Sequence, residues 1–217
     1  MGLRQTLSRK ELSIGIIDIG MGNIGSVYNA VYSQAWDPIL VKCAEDFDAL
    51  THLIIPGVGS YAAAMKILGD WNLIDSIINF AAEGKPTLGI CLGMQLLSDV
   101  GFEGSKAKGL GLIEGETVPF EKIKGLSFPH IGWNDVLQER THPILNGIKS
   151  GLDFYFVNGF FFNPVYSDTI IATTDYGQLF PSIIGKKNVV GVQFHPEKSQ
   201  ANGLKMIDNF CLWDGTC

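Results

Sequence analysis

Gly89-Ile90-Cys91-Leu92-Gly93 constrains this chain more than any other stretch. Lys85-Pro86 opens a short buried run over Thr87 to Ile90, and Leu92 to Leu97 is helix-forming, so the backbone must turn sharply at Cys91. The flanking glycines remove the Cβ atoms that would collide in so tight a strand-to-helix turn, as in the G-x-S-x-G elbow. A cysteine at that corner lies at a helix N-terminus, whose partial positive charge favours thiolate over thiol. Cys91 is therefore a candidate nucleophile. The competing reading is a buried cysteine in a glycine-rich strand, because free cysteine is a common core residue.

A nucleophile needs a base, and the chain offers one about a hundred positions later. Val189 to Phe194 is a strong strand signal, and His195-Pro196-Glu197 follows at its end. Positions i and i+2 of an extended chain point the same way, and a proline biases the preceding residue towards extended geometry. Glu197 is thus expected on the side where His195 projects, accepting a ring N–H bond that orients the imidazole. Alone, a His-Pro-Glu triplet is an ordinary loop. With a cysteine elbow it completes nucleophile, base and orienting acid.

Composition narrows the partners. The 217 residues are 46% hydrophobic and 18% charged, enough for one domain with a large core and a buried parallel sheet. A net charge of −6 argues against nucleic acid or an acidic membrane surface. Cys43, Cys91, Cys211 and Cys217 show no paired spacing, so no metal site or disulfide framework is indicated, and a reducing, cytoplasmic setting is expected. No apolar run reaches membrane-spanning length. Met1-Gly2 to Thr6 matches a short N-acylation pattern that recurs by chance.

Strands are expected over Ser13 to Ile19, Pro38 to Cys43 and Thr51 to Ile55, with helices over Asn23 to Gln34 and Ser60 to Glu83, the latter interrupted at Gly69-Asp70. This alternation implies parallel βαβ units. From Leu110 to Gln193 the runs are short and β-branched or aromatic, with turns at Asn146-Gly147 and Gly185-Lys186, which reads as mixed or antiparallel sheet. A closing helix is expected near Ala201 to Trp213. Gly20-Met21-Gly22-Asn23-Ile24-Gly25 satisfies the dinucleotide fingerprint. The ribose-binding acid that should close the second strand is missing, since that strand ends Val41-Lys42-Cys43. No cofactor is assigned.

Gly89 to Gln95, taken with Gln193 to Glu197, resembles the class I glutamine amidotransferases. Gly20 to Asn23, Pro56 to Gly59, Gly109 to Ile113 and Pro129 to Asn134 narrow the resemblance to the glutaminase subunits of imidazole glycerol phosphate synthase. It implies an α/β fold: a mainly parallel central sheet flanked by helices, with mixed or antiparallel strands in the second half. Residues 13–217 would form the glutaminase domain, preceded by an extension over residues 1–12. The implied reaction is hydrolysis of glutamine to glutamate and ammonia through a thioester on Cys91, with His195 as acid and base and Glu197 holding its ring. Oxyanion donors are expected from Leu92 and from Val58, whose peptide lies between Gly57 and Gly59 at the carboxyl end of a strand.

By family position, Gly57, Gln95, Glu103, Gly159 and Phe160 bind the substrate, and Asn23 and Lys198 face the partner. That partner is implied to be a separate cyclase subunit, a (β/α)8 barrel that uses the ammonia to make imidazole glycerol phosphate and AICAR in histidine biosynthesis. Tyr155 to Phe160 departs from the subfamily pattern at Asn158, and Ile19 and Gly25 replace larger residues, which leaves open a paralogue serving another synthase. A Cys-His-Glu amidase or peptidase and a non-catalytic scaffold are the alternatives from other classes.

Overall fold

The computed structural model describes residues 11–121 and 124–217. The acylation-like pattern and most of the expected extension lie outside them, while Leu12 already packs against the core.

Strands and helices alternate through the first half: β1 (Ile14–Ile17), α1 (Ile24–Ser33), β2 (Ile39–Val41), β3 (His52–Ile55), α2 (Tyr61–Asp70), α3 (Ile74–Ala82), β4 (Thr87–Ile90) and α4 (Leu92–Leu96). The second half is mostly strand: β5 (Val100–Gly101), β6 (Ala107–Lys108), β7 (Gly115–Pro119), β8 (His130–Gln138), β9 (Leu152–Asn158), β10 (Phe160–Pro164), β11 (Ile170–Asp175), β12 (Leu179–Lys186) and β13 (Val189–Val192). Helix α5 (Gln200–Leu212) follows.

Among the described residues these strands form a nine-stranded sheet in the order β2-β1-β3-β4-β13-β12-β11-β8-β9. The side from β2 to β13 is parallel, and every neighbour beyond β13 is antiparallel. A four-stranded sheet, β10-β7-β5-β6, lies beside it. β1, β3, β4 and β13 are buried at every position, as parallel strands covered on both faces must be. One hydrophobic cluster packs the sheet against α1 and α5 through Val31, Met206 and Phe210. The other packs it against α2, α3 and α4 through Leu68, Ile77 and Leu96.

Local chemistry sets the element ends. Asn23 caps α1 by accepting from Ser26 N at 3.3 Å, and the helix buries Val27, Ala30 and Val31. The interruption expected at Gly69-Asp70 falls later, because α2 runs through both residues and breaks at Asn72, where φ is +55°. Asparagine tolerates that left-handed conformation, whereas glycine within a helix costs only about 1 kcal/mol. The hairpin turn expected at Gly185-Lys186 is likewise displaced. Lys186 still pairs with Val189, so the turn is Lys187-Asn188. Gly185 is needed for packing instead: a Cβ there would lie 2.6 Å from Ile171 Cδ1.

The strand order splits outward from β1 and β3, so the loops leaving their carboxyl ends lie side by side. A Cβ on Gly22, in the first loop, would sit 3.4 Å from Val58 N in the second. Crevices at such switch points are where open α/β sheets bind ligands.

Candidate active site

β4 delivers Cys91 to that same edge. Cys91 N donates to Val192 O at 2.8 Å, tying the corner to β13, and the residue adopts φ +53° and ψ −108°. Such a conformation costs a non-glycine residue about 1–3 kcal/mol and persists only where the surroundings enforce it. They do so through close backbone contact. A Cβ on Gly89 would lie 2.5 Å from Gly93 O, and one on Gly93 only 1.7 Å from Ile55 O. The elbow therefore presses α4 directly onto β3 and β4, with the thiol facing a cleft of about 220 Å³.

His195 enters the cleft from the end of β13. Its backbone N donates to Tyr155 O at 2.8 Å, and Ser199 Oγ donates to its carbonyl at 2.6 Å, so the backbone that carries the imidazole is held from β9 and from the start of α5. Nδ1 meets Glu197 Oε1 at 2.8 Å, with the two side chains only 3% and 2% exposed. The route to this contact differs from the expected one. Pro196–Lys198 is a 3₁₀ turn, not extended chain, so Glu197 curls back to meet Nδ1 at the edge of the ring instead of following it along a strand. With Nδ1 committed to the carboxylate, Nε2 is left for the sulfur. Burial opposes a charge on His195, but hydrogen bonds and charge from Cys91 and Glu197 prevail and push its pKa up to about 10. The imidazolium is thus favoured beside Cys91.

Val58, Leu92, Gln95, Glu103, Gly159, Phe160 and Lys198 line the cleft with Cys91 and His195. Glu197 stands behind His195, and Gly57 packs behind Leu92, where an added Cβ would lie 3.0 Å from Leu92 Cβ. Asn23 is not at the cleft; it is exposed at the head of α1, on the loop that leans on Val58. Lys198 stands at the cleft mouth, 6.0 Å over the Tyr155 ring. A larger cleft of about 420 Å³, lined by Arg140, Lys186 and Lys187, holds none of the expected residues. It lies by the Lys187-Asn188 turn, where Asn188 O meets Thr87 N at the opposite end of β4 from Cys91.

Two substrate candidates also serve the fold. Gln95 Nε2 donates to Phe160 O at 3.0 Å and to Gln193 Oε1 at 3.2 Å, so Oε1 is the Gln95 atom available to a ligand. Glu103 Oε2 accepts from Tyr61 N at 2.6 Å, satisfying an orphan donor at the start of α2 and leaving its other oxygen for the cleft. The stretch that departs from the subfamily pattern is also in contact. Asn158 Nδ2 donates to Phe160 O at 3.0 Å, and Asn158 Oδ1 is buried without a partner among the described residues.

Sequence reasoning passed over two neighbours of the sulfur. Val157 O and Gln193 Nε2 each lie 3.8 Å from Cys91 Sγ. Val157 acts through its backbone and leaves no sequence signal. Gln193 does leave one, being a polar residue within the apolar run Val189 to Phe194.

The profile of the family "Glutamine amidotransferase class-I" matches residues 15–213. The "Imidazole glycerol phosphate synthase subunit HisH" of Desulfitobacterium hafniense (strain DSM 10664 / DCB-2) is 42% identical over 200 residues, covering 92% of this chain and 94% of its own. The protein of the same name from Methanocaldococcus jannaschii is 42% identical over 198 residues, 91% of this chain and 97% of its own. Among solved structures, "Structure of PurLQS from Thermotoga maritima" superposes with a TM-score of 0.74 at 19% identity, covering 92% of this chain and 97% of that one, a likeness of fold. The chain belongs to the class I glutamine amidotransferase family, among its imidazole glycerol phosphate synthase HisH members.

Proposed function

We propose that Cys91, His195 and Glu197 carry the glutaminase reaction of an imidazole glycerol phosphate synthase, in a domain spanning residues 13–217. The observation that carries this reading is the convergence of the strained elbow and the buried His195–Glu197 pair on one cleft. Glutamine enters with its α-ammonium towards Glu103 and Gln95 Oε1 and its carboxylate towards the backbone of Gly159 and Phe160. Cys91 Sγ attacks the side-chain amide carbon, and the carbonyl electrons move to oxygen, met by the N–H groups of Leu92 and Val58. The tetrahedral adduct collapses, the C–N bond breaks, and His195 Nε2 protonates the leaving nitrogen, releasing ammonia. Nε2 then takes a proton from water, whose oxygen attacks the thioester through a second oxyanion. Sulfur leaves with the bonding electrons, giving glutamate.

Ammonia released into water would be protonated and lose its nucleophilicity, so its consumer has to seal the cleft. The partner we infer is a cyclase subunit, docked as a heterodimer over the face that carries Lys198 and the Asn23 loop. That face presents exposed apolar surface beside the cleft. Ile131 and Trp133 of β8 are 57% and 47% exposed, and Trp133 packs edge-on against Tyr155 at 5.8 Å, next to Lys198. Exposed apolar side chains grouped beside a cleft are typical of interaction surfaces. Co-expression with the cyclase tests the reading. Cys91→Ser should abolish synthesis from glutamine and preserve both complex formation and synthesis from added ammonia. Loss of both activities, or survival of the glutamine-dependent one, contradicts it.

A further inference from the structure

Gln193 is wholly buried, and a buried amide so close to a nucleophile needs a reason. Its backbone N donates to Ser182 O at 2.9 Å, which fixes the residue just beyond β13. The side-chain orientation follows from its neighbour. Phe160 O can only accept, so the Gln95 atom facing it at 3.0 Å is the nitrogen. The second hydrogen of that nitrogen points to Gln193, 3.2 Å away, which must therefore present its oxygen to Gln95. What remains is Gln193 Nε2, a donor, 3.8 Å from Cys91 Sγ. We propose that Gln193 is a positioning residue for the nucleophile, its side-chain N–H supplying a fixed hydrogen bond to Cys91 Sγ whenever the sulfur is anionic.

The two unassigned neighbours of the sulfur serve opposite protonation states. A thiol S–H can donate to Val157 O, whereas a thiolate cannot; a thiolate accepts strongly from Gln193 N–H, whereas a thiol accepts weakly. Helix α4 has only five residues, which leaves little aligned dipole behind the sulfur and gives a local donor correspondingly more weight. In the thioester the sulfur carries no charge and the bond to Gln193 weakens. It strengthens again when water adds, the C–S bond breaks and both its electrons pass to Sγ. Gln193 thus favours departure of the sulfur in the second half of the reaction. In the first half it raises the anionic fraction while making each anion slightly less reactive. Gln95 acts one step back by orienting the Gln193 amide, which couples the substrate wall to the nucleophile.

This inference rests on Cys91 being the nucleophile. Its test is the rate of Cys91 alkylation by iodoacetamide across pH, in the full-length chain, read by peptide mass spectrometry. Gln193→Met removes the donor at similar length, and Gln193→Glu keeps an acceptor for Gln95 while removing the donor. Both should shift the rate profile to higher pH, making alkylation about tenfold slower below the wild-type midpoint, as expected for loss of a hydrogen bond to a charged group. At the high-pH plateau the rates should equal or exceed wild type, because the freed thiolate is more reactive. A profile that is unshifted, or slower by the same factor at every pH, overturns the proposal. The wild-type protein gives an independent reading should either variant fold poorly. The Gln193 side-chain amide signals in its NMR spectrum should titrate along the Cys91 alkylation profile, and signals that stay fixed overturn the proposal. Glutamine turnover retained by Cys91→Ser would instead overturn Cys91 as the nucleophile, so the two failures are distinguishable.

Discussion

His195 Nδ1 and Glu197 Oε1 lie 2.8 Å apart across a single 3₁₀ turn, and neither side chain is more than 3% exposed. The carboxylate holds the proton on Nδ1 when the ring is neutral and turns Nε2 towards Cys91. Glu197→Gln keeps the shape and removes the charge. It should lower kcat for glutamine hydrolysis by about 10³-fold or more, as loss of the orienting acid does in serine triads, with KM little changed. Equal loss of ammonia-dependent synthesis in the complex would show that Glu197 supports assembly instead.

Glu103 has two tasks that one substitution can separate. Glu103→Gln retains an oxygen to accept from Tyr61 N but loses the charge proposed to meet the substrate ammonium. The expected result is a KM for glutamine raised by about tenfold or more, consistent with a lost charge-assisted bond, at nearly unchanged thermal stability. Glu103→Ala should add a stability loss of about 1 kcal/mol from the uncapped helix start. Steady-state kinetics and melting curves on both variants separate the effects; an unchanged KM in Glu103→Gln removes it from the binding site.

The glycines of this chain divide into those that contact and those that only bend. Gly93→Ala places a Cβ 1.7 Å from Ile55 O, a backbone atom held in β3, and should cost more than about 4 kcal/mol or prevent folding. Gly20 has φ +70° with nothing within 4 Å of an added Cβ, so Gly20→Ala should cost only about 1 kcal/mol of backbone strain. Urea denaturation of the two variants measures both, and comparable losses would contradict the elbow packing.

Much of this was legible in the sequence because it is local. The strand that leads to Cys91 is Thr87–Ile90 as read, the first helix has its cap at Asn23 and its end at Gln34, and alternating elements gave a parallel sheet with antiparallel additions. The elbow announces itself because a strained turn and two backbone contacts leave only glycine at two positions. What stayed hidden depends on residues distant in the chain. The Glu103 bond spans 42 positions and the Gln193 bond to sulfur spans 102, and neither has a local periodicity to betray it. The curl at Pro196–Lys198 was missed for a different reason: a proline that restrains His195 also opens a 3₁₀ turn just as well as it continues a strand.

Acid should destabilise the fold through its buried histidines. His52 is 3% exposed, and burial lowers its pKa from 6.5 to about 4 despite a bond to Trp213 O. Above pH 6.5 both folded and unfolded chains hold it neutral, so it adds no pH dependence there. As pH falls from 6.5 towards 4 the unfolded chain takes up the proton first, and stability is lost across that window. The loss from this site is roughly 3 kcal/mol at most. Unfolding free energies should therefore decline over this range in the wild type, and His52→Asn, though weaker at neutral pH, should decline less steeply. Parallel curves for the two proteins would exclude a neutral buried His52.

The central claim is that glutamine is cleaved by attack of Cys91, and a γ-glutamyl affinity label tests it most directly. The chain, complexed with the proposed cyclase partner, is treated with an electrophilic glutamine analogue and then digested for peptide mass spectrometry, with both synthase activities followed in parallel. The account predicts one label per chain on Cys91, protection by glutamine, complete loss of glutamine-dependent synthesis and retention of ammonia-dependent synthesis. Label on Cys43, Cys211 or Cys217 with Cys91 unmodified and glutamine turnover lost would contradict it.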